Sequence, residues 1–330
     1  MGRKDIKSAR GSIAFTGVLA GATILAVTQA AAQSSTAAYD VVHNSWSMGA
    51  NMPIGTQSAA AGAIGKNIYV VGGVTGTGAP INANQIYNTE TDQWTTGAAM
   101  PTAEAGAGAV VNGILYVIGP GHTLQAYDPV SNTWRVAPLP FNLDSVPSAV
   151  VYNNVIYVIV GYSGRTISNG VESYDPATNT WTREAGTLVA KGNSAMGVLG
   201  AMIVSAGGSE IMCGIQGCGP VETGDNEGYN VTRNKWKMLA AVPTSREAGC
   251  AWAIAGQLYF AGGLGTYGQL ETALSVLEAY SPKSNSWTTL ASMPMAVSYP
   301  SSAKVGGRLY CFGGFNNANG TANYVQIYQP

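Results

Sequence analysis

An all-β fold, arranged as a closed ring of six repeated four-stranded sheets, is what this 330-residue sequence predicts. Three observations lead there. Only 10% of residues are charged, 46% are apolar and 43 are glycine. That is the makeup of short buried strands joined by tight turns, not of a disordered chain. A two-part pattern recurs six times, with spacings of 47, 41, 47, 55 and 51 residues, the period of stacked repeat units. The sixth copy lacks its last strand, and a segment near the N-terminus supplies the match.

The first part of the pattern is an aliphatic-Tyr-aliphatic run ending in glycine. It starts at Ile68, Leu115, Ile156, Met202, Leu258 and Leu309. Runs of this kind are strands buried on both faces, as stacked sheets require. Glycine at their ends permits positive φ or close approach of another backbone. The second part is a Tyr-Asp-Pro-like turn followed by tryptophan, at Trp94, Trp134, Trp181, Trp236 and Trp287. Asp-Pro and Asn-Thr or Asn-Ser form the turn, and tryptophan supplies apolar area between sheets. The fourth repeat lacks the first tyrosine, and the second and third each lose one glycine of the pair. The sixth repeat stops at Pro330 without a tryptophan, whereas His43-Asn44-Ser45-Trp46 repeats the Asn-Ser-Trp of the fifth. That strand is expected to complete blade 6 and remove an exposed edge.

Glycine pair, turn and spaced tryptophan recurring in register over about residues 38–330 resemble the kelch repeat. The resemblance implies a six-bladed kelch-type β-propeller closed by an N-terminal strand. There is a more distant, fold-level similarity to bacterial sialate mutarotases, which licenses little about function.

Residues 1–32 read as a signal peptide, leaving 33–330 as the propeller. Arg3, Lys4, Lys7 and Arg10 precede an uncharged apolar stretch at 13–27, and Ala30-Ala31-Ala32 offers a cleavage site. The expected location is therefore secreted or periplasmic, and the cleaved chain carries a net charge of −4. No basic face suggests nucleic acid, no second segment suggests a membrane span, and a monomer is expected. Export permits disulfides. Cys213 and Cys218, in CGIQGC, are expected to close a small loop, while Cys250 and Cys311 are expected to be buried thiols.

Strand direction places the entry to each first strand and the second-to-third-strand loops on one face. Those loops are long at 74–84, 162–169, 209–226, 264–272 and 315–323, and short in blade 2 at Gly121 and His122. They are rich in Gly, Asn, Ser and Thr, with Tyr162, Arg165 and Tyr267 interspersed. The entry stems carry Asp144, Lys191 and Arg246 at one register, and Glu104 and Glu247 at the next. In a chain with so few charges this ring is the candidate ligand site. An arginine there would hold a carboxylate or sugar hydroxyls, and salt bridges fixing the stems are the alternative. Enzyme signatures, metal-ligand spacings and cofactor motifs do not stand out. The sequence thus suggests a binding module for an extracellular glycan or protein, or else a sugar-active enzyme using Arg246, Glu247 and Glu104 at the channel mouth.

Overall fold

The computed structural model describes residues 43–163, 166–214, 217–267 and 270–330. The expected signal peptide and Arg165 lie outside these. Six four-stranded antiparallel sheets form the blades of the propeller. Blade 1 runs Ala60–Ile64, Asn67–Val71, Asn84–Asn88, Gln93–Thr96. Blades 2 to 5 repeat this order, their innermost strands being Ala107–Val111, Ser148–Tyr152, Ala195–Leu199 and Cys250–Ile254. Blade 6 is composite. Ser301–Val305, Arg308–Phe312 and Val325–Gln329 are completed by Ser45–Gly49, with Trp46 opposite Tyr328. Among the described residues the one helical element is the 3-10 turn Val231–Arg233, and no helix is long and apolar enough to cross a membrane.

The outer rim is held by one recurring device. The tyrosine of each third strand donates to an Asn or Asp five residues on: Tyr87 to Asp92, Tyr127 to Asn132, Tyr174 to Asn179, Tyr229 to Asn234, Tyr280 to Asn285, at 2.6–2.8 Å. That acceptor sits at φ 47–56°, a left-handed conformation Asn and Asp tolerate. In every blade but the third, its carboxamide or carboxylate also accepts from an alanine N–H of the preceding blade, as Asn285 does from Ala240 at 2.9 Å. The same alanine's carbonyl accepts from the tryptophan, as Ala240 does from Trp287 at 2.8 Å. In blade 6 the device spans the chain ends: Tyr328 donates to Asn44 at 2.9 Å, and Trp46 to the Ala291 carbonyl at 2.7 Å.

At the hub the innermost strands converge, so small residues dominate them. A Cβ on Gly108 of blade 2 would lie 2.3 Å from the Ala61 carbonyl oxygen of blade 1. This convergence corrects the expectation for Cys250 and Cys311, which form a disulfide with Cα atoms 6.1 Å apart. Facing sheets stand about 10 Å apart in general, but the first strand of blade 5 and the second of blade 6 meet near the axis. There the separation falls within disulfide reach. In the chain-entropy account, closing this 61-residue span stabilises by roughly 4 kcal/mol. Cys213 and Cys218 are also bonded, from directly opposed positions of a hairpin.

A chain beginning at residue 50 loses the closing strand and the Trp46–Tyr328 ring contact at 5.0 Å. Loss of the half-buried tryptophan alone costs on the order of 3 kcal/mol. Thermal unfolding of that chain should be broad and well below that of the chain from residue 33. Equal melting temperatures would show that the ring does not depend on this closure.

Candidate functional site

Short bridges tie the stems to the long loops on one face: Gln57 to Val74, Gly192 to Ser209, Glu247 to Leu264, and Ser298 to Phe315. The loops there are themselves paired strands in four blades. The second and third strands of blade 3 extend past their register shift to pair Ser163 with Thr166. Blade 4 raises the hairpin Ser209–Gly214 and Gly217–Glu222, and blade 5 the hairpin Leu264–Tyr267 and Leu270–Ala273. Blade 6 adds Phe315–Asn316 and Gly320–Thr321. The Thr266 hydroxyl donates to Glu222 at 2.7 Å, and Ala273 N–H to Asn317 at 2.6 Å, bracing neighbouring hairpins. The result is a wall over blades 3 to 6 that falls away at blade 2.

The two cations that the sequence placed in a polar ring are turned inward. Arg246 and Lys191 are fully buried. Arg246 pairs with Glu278, donates to the Phe260 carbonyl at 2.8 Å, and lies 4.0 Å from the Phe260 ring centroid. Lys191 Nζ is 3.6 Å from Glu227 and donates to the Ser205 and Asp225 carbonyls at 3.1 and 2.9 Å. Burial pushes both cations below their ordinary pKa values, and the paired carboxylates oppose the shift. Each is half of a latch between the stem and the third strand. Glu227 accepts the Leu188 N–H, and Glu278 the Thr244 hydroxyl. Where the stem holds neutral Thr56 or Val297, the third-strand partner is Gln85 or Gln326. Each of these amides binds both backbone polar groups of one stem residue, Ile54 or Met295.

Glu104 belongs to this latch too, one register away from its sequence alignment. Its carbonyl accepts from Gly73, as Arg246's does from Gly208, because the path from stem to first strand is one residue shorter in blade 2. Glu104 pairs with Gln125 and accepts the Gly121 N–H at 2.8 Å, and burial raises its pKa. Asp144 is exposed on blade 3 and is not joined to Arg246 or Lys191. Tyr267 is in the blade 5 hairpin.

What the fold does assemble at the channel mouth centres on Glu247. Its carboxylate is buried and accepts from Tyr299 at 2.8 Å, from Asn193 at 2.9 Å and from Ser209. Tyr162 is hydrogen-bonded to Ser209 at 2.6 Å, and its ring packs where a Cβ on Gly192 would stand. Burial raises the pKa of both phenols, and the Glu247 charge raises that of Tyr299 further. Of the ion pairs among the described residues, none involves Glu247. Tyr299 and Asn193 also line the central channel, a space of about 480 Å³ walled largely by Ala, Gly, Val and Ser. Sequence reasoning found Glu247 and Tyr162 but missed Tyr299, Asn193 and Ser209. The available signal was a bulky tyrosine at a stem position where other blades place Ser58, Asn193 and Ala248, all at φ 49–55°. No group of three or more His, Cys, Asp or Glu among the described residues could hold a metal ion.

Comparisons with known proteins agree with the architecture. The model of the Kelch motif matches residues 56–101, 147–186 and 250–294. Kelch-like protein 23 of Homo sapiens is 30% identical over 277 residues, covering 78% of this chain and 46% of that protein. Kelch-like protein terF of Aspergillus terreus is 28% identical over 307 residues, covering 83% and 64%. The chain spans about half the length of the Kelch-like protein 23 sequences it matches. The solved structure of YjhT superposes with a TM-score of 0.70 at 18% identity, over 83% of this chain and 95% of that one, a likeness of fold.

The latch generates a stability prediction. Arg246→Ala leaves Glu278 buried without its cation and should cost about 3–5 kcal/mol in chemical denaturation. Arg246→Val with Glu278→Gln copies the Val297–Gln326 arrangement of blade 6 and should recover most of that loss. If the double variant is as unstable as the single one, the pair is not acting as a latch.

Proposed function

Since the chain belongs to the kelch-repeat β-propellers, we propose that it is an exported binding module that captures an extracellular ligand, in first place a protein, on its long-loop face. The carrying observation is the one-sided wall of paired hairpins over blades 3 to 6. Regular backbone pairing holds these loops in one shape, so binding loses less to ordering than it would with free loops. The hairpins carry apolar side chains at unusual exposure: Met212 at 57%, Val221 at 42% and Leu270 at 75%. Met212 and Val221 share one face of the blade 4 hairpin. Exposed apolar side chains on a braced scaffold suit contact with another protein. Export is supported by the two disulfides, which persist in oxidising compartments, and by the basic-then-apolar layout of residues 1–32.

The test uses immobilised protein to capture extracellular proteins of the source cell. Met212→Asp and Leu270→Asp should each weaken capture roughly tenfold or more, the size of one interface anchor. Val130→Asp, at a 95% exposed turn on the opposite face, should leave it unchanged. Capture insensitive to the hairpin variants would remove the protein-binding reading. Exported protein should begin at Gln33, and recovery with residues 1–32 retained would remove cleavage.

A second reading, a sugar-active enzyme of the mutarotase or epimerase kind, is favoured by the Glu247 cluster. A carboxylate with no cation partner among the described residues, chained to two phenols, has the parts for proton transfer at the channel mouth. If it acts so, the native protein should accelerate anomer exchange of a free sugar, read by NMR, and Glu247→Gln should abolish the acceleration. No acceleration across reducing sugars would end this reading.

A further inference from the structure

We propose that the groove between blades 6 and 1 is a separate binding site for a short neutral oligosaccharide. It lies on the long-loop face, where the blade 1 loop around Thr75 meets the blade 6 loop at Asn319 to Asn323, and its volume is about 580 Å³. That is within the range of small-ligand pockets. The site stands apart from the Glu247 cluster and the hairpin tips of blades 4 and 5, and it does not depend on either reading above.

Its chemistry singles out the ligand class. The side chains lining it are Gln57, Thr75, Phe315, Asn319, Thr321 and Asn323, and every other lining residue is glycine. None is ionisable, so an anionic or cationic ligand would enter without a counter-charge. Nor does an apolar ligand fit, because it would cover amides and hydroxyls without replacing their hydrogen bonds with water. The amides are only partly used by the protein. Asn319 Nδ2 donates to the Tyr324 hydroxyl at 3.0 Å and Asn323 Nδ2 to the Met52 carbonyl at 3.2 Å, which leaves both Oδ1 atoms as acceptors. Gln57 uses its backbone to pair with Val74 at 2.9 Å, and its half-buried amide offers a donor and an acceptor side by side.

A sugar ring meets these demands together. Its hydroxyls each donate and accept, matching carboxamides and threonine hydroxyls. Its C–H face is apolar and can lie on the half-buried Phe315 ring. Gly76 and Gly78 on one side and Gly320 on the other keep the walls free of bulk, so backbone groups are within reach of an extended ligand.

The experiment titrates the chain from residue 33 with neutral trisaccharides of glucose, mannose, xylose, galactose and N-acetylglucosamine, followed by protein-observed NMR and calorimetry. Sialyllactose and trigalacturonate serve as charged probes. At least one neutral trisaccharide should bind, shifting signals of residues 55–57, 75–78 and 315–323, and the charged sugars should bind at least tenfold more weakly. Phe315→Ala should weaken binding at least tenfold. Should Phe315→Ala unfold the blade, Gly76→Tyr gives an independent test. Gly76 is not at positive φ, and a Cβ there meets only Thr321 at 3.7 Å, so the added ring fills the groove without straining the backbone and should abolish binding. Glu247→Gln and Leu270→Asp should leave binding unchanged. If no neutral trisaccharide binds, if charged sugars bind as tightly, or if binding survives Gly76→Tyr, the proposal falls.

Discussion

Four of the six blades pass a backbone hydrogen bond from glycine to the next blade across a gap too narrow for a side chain, and much of this ring is arranged around that requirement. The second glycine of the pair makes the contact: Gly73 to the Glu104 carbonyl, Gly208 to Arg246, Gly263 to Val297, and Gly314 to Thr56, all at 2.8–2.9 Å. A Cβ on the preceding Gly207 would come 2.5 Å from the Arg246 oxygen, and Gly207 itself is at φ 62°. Side chain and conformation therefore both demand glycine. A second set of bonds circles the mouth, from Ala248 to Asn193, Tyr299 to Ala248, Ser58 to Tyr299 and Gly106 to Ser58. The receiving stems, those of blades 1, 2, 4, 5 and 6, must be immobile for these bonds to persist, and a buried latch holds each of the five.

The interface between blades 2 and 3 shows what replaces these bonds when the sequence withholds them. Pro120 stands where the donor glycine belongs and has no N–H. Trp181 packs against Phe141 at 5.0 Å instead of reaching an alanine carbonyl. Apolar packing takes over, with Leu143, Ile156 and Val158 fully buried between the two sheets. Blade 3 then regains polar contact on its far side, where Ser148 donates to the Ser194 carbonyl at 2.8 Å.

Most of the fold was legible because its elements repeat: six copies constrain one another, and Asn-Ser-Trp at residues 44–46 could be matched to the copy in blade 5. The site was less legible for the opposite reason. Arg246, Lys191 and Asp144 share a register, but register does not reveal which way a side chain turns. The informative clue was in the third strands, where Glu227 and Glu278 stand opposite the two cations and Gln85 and Gln326 opposite neutral stems. Glu104 was shifted by one residue because a shortened path keeps the same motif while changing what each position does. The Cys250–Cys311 bond required knowing how closely sheets approach at the hub, which no local pattern encodes.

Arg246 and Glu247 are adjacent in sequence and have opposite fates, and this sets the chemistry of the mouth. Arg246 turns into its own blade, where Glu278 neutralises it. Glu247 turns towards its neighbours and accepts from hydroxyls and an amide of blades 4 and 6, with Tyr162 of blade 3 joined through Ser209, and it pairs with no cation among the described residues. Lys191 and Arg246 are thus out of reach, and a carboxylate stands at the channel. A ligand at this mouth meets acceptors and phenols, the reverse of the arginine fork that the sequence suggested. An anionic ligand would face repulsion from Glu247, because its hydrogen-bond donors spread its charge without cancelling it. The mouth as built therefore suits neutral or cationic groups better than anionic ones. It disfavours the carboxylate ligands that an exposed Arg246 would have selected.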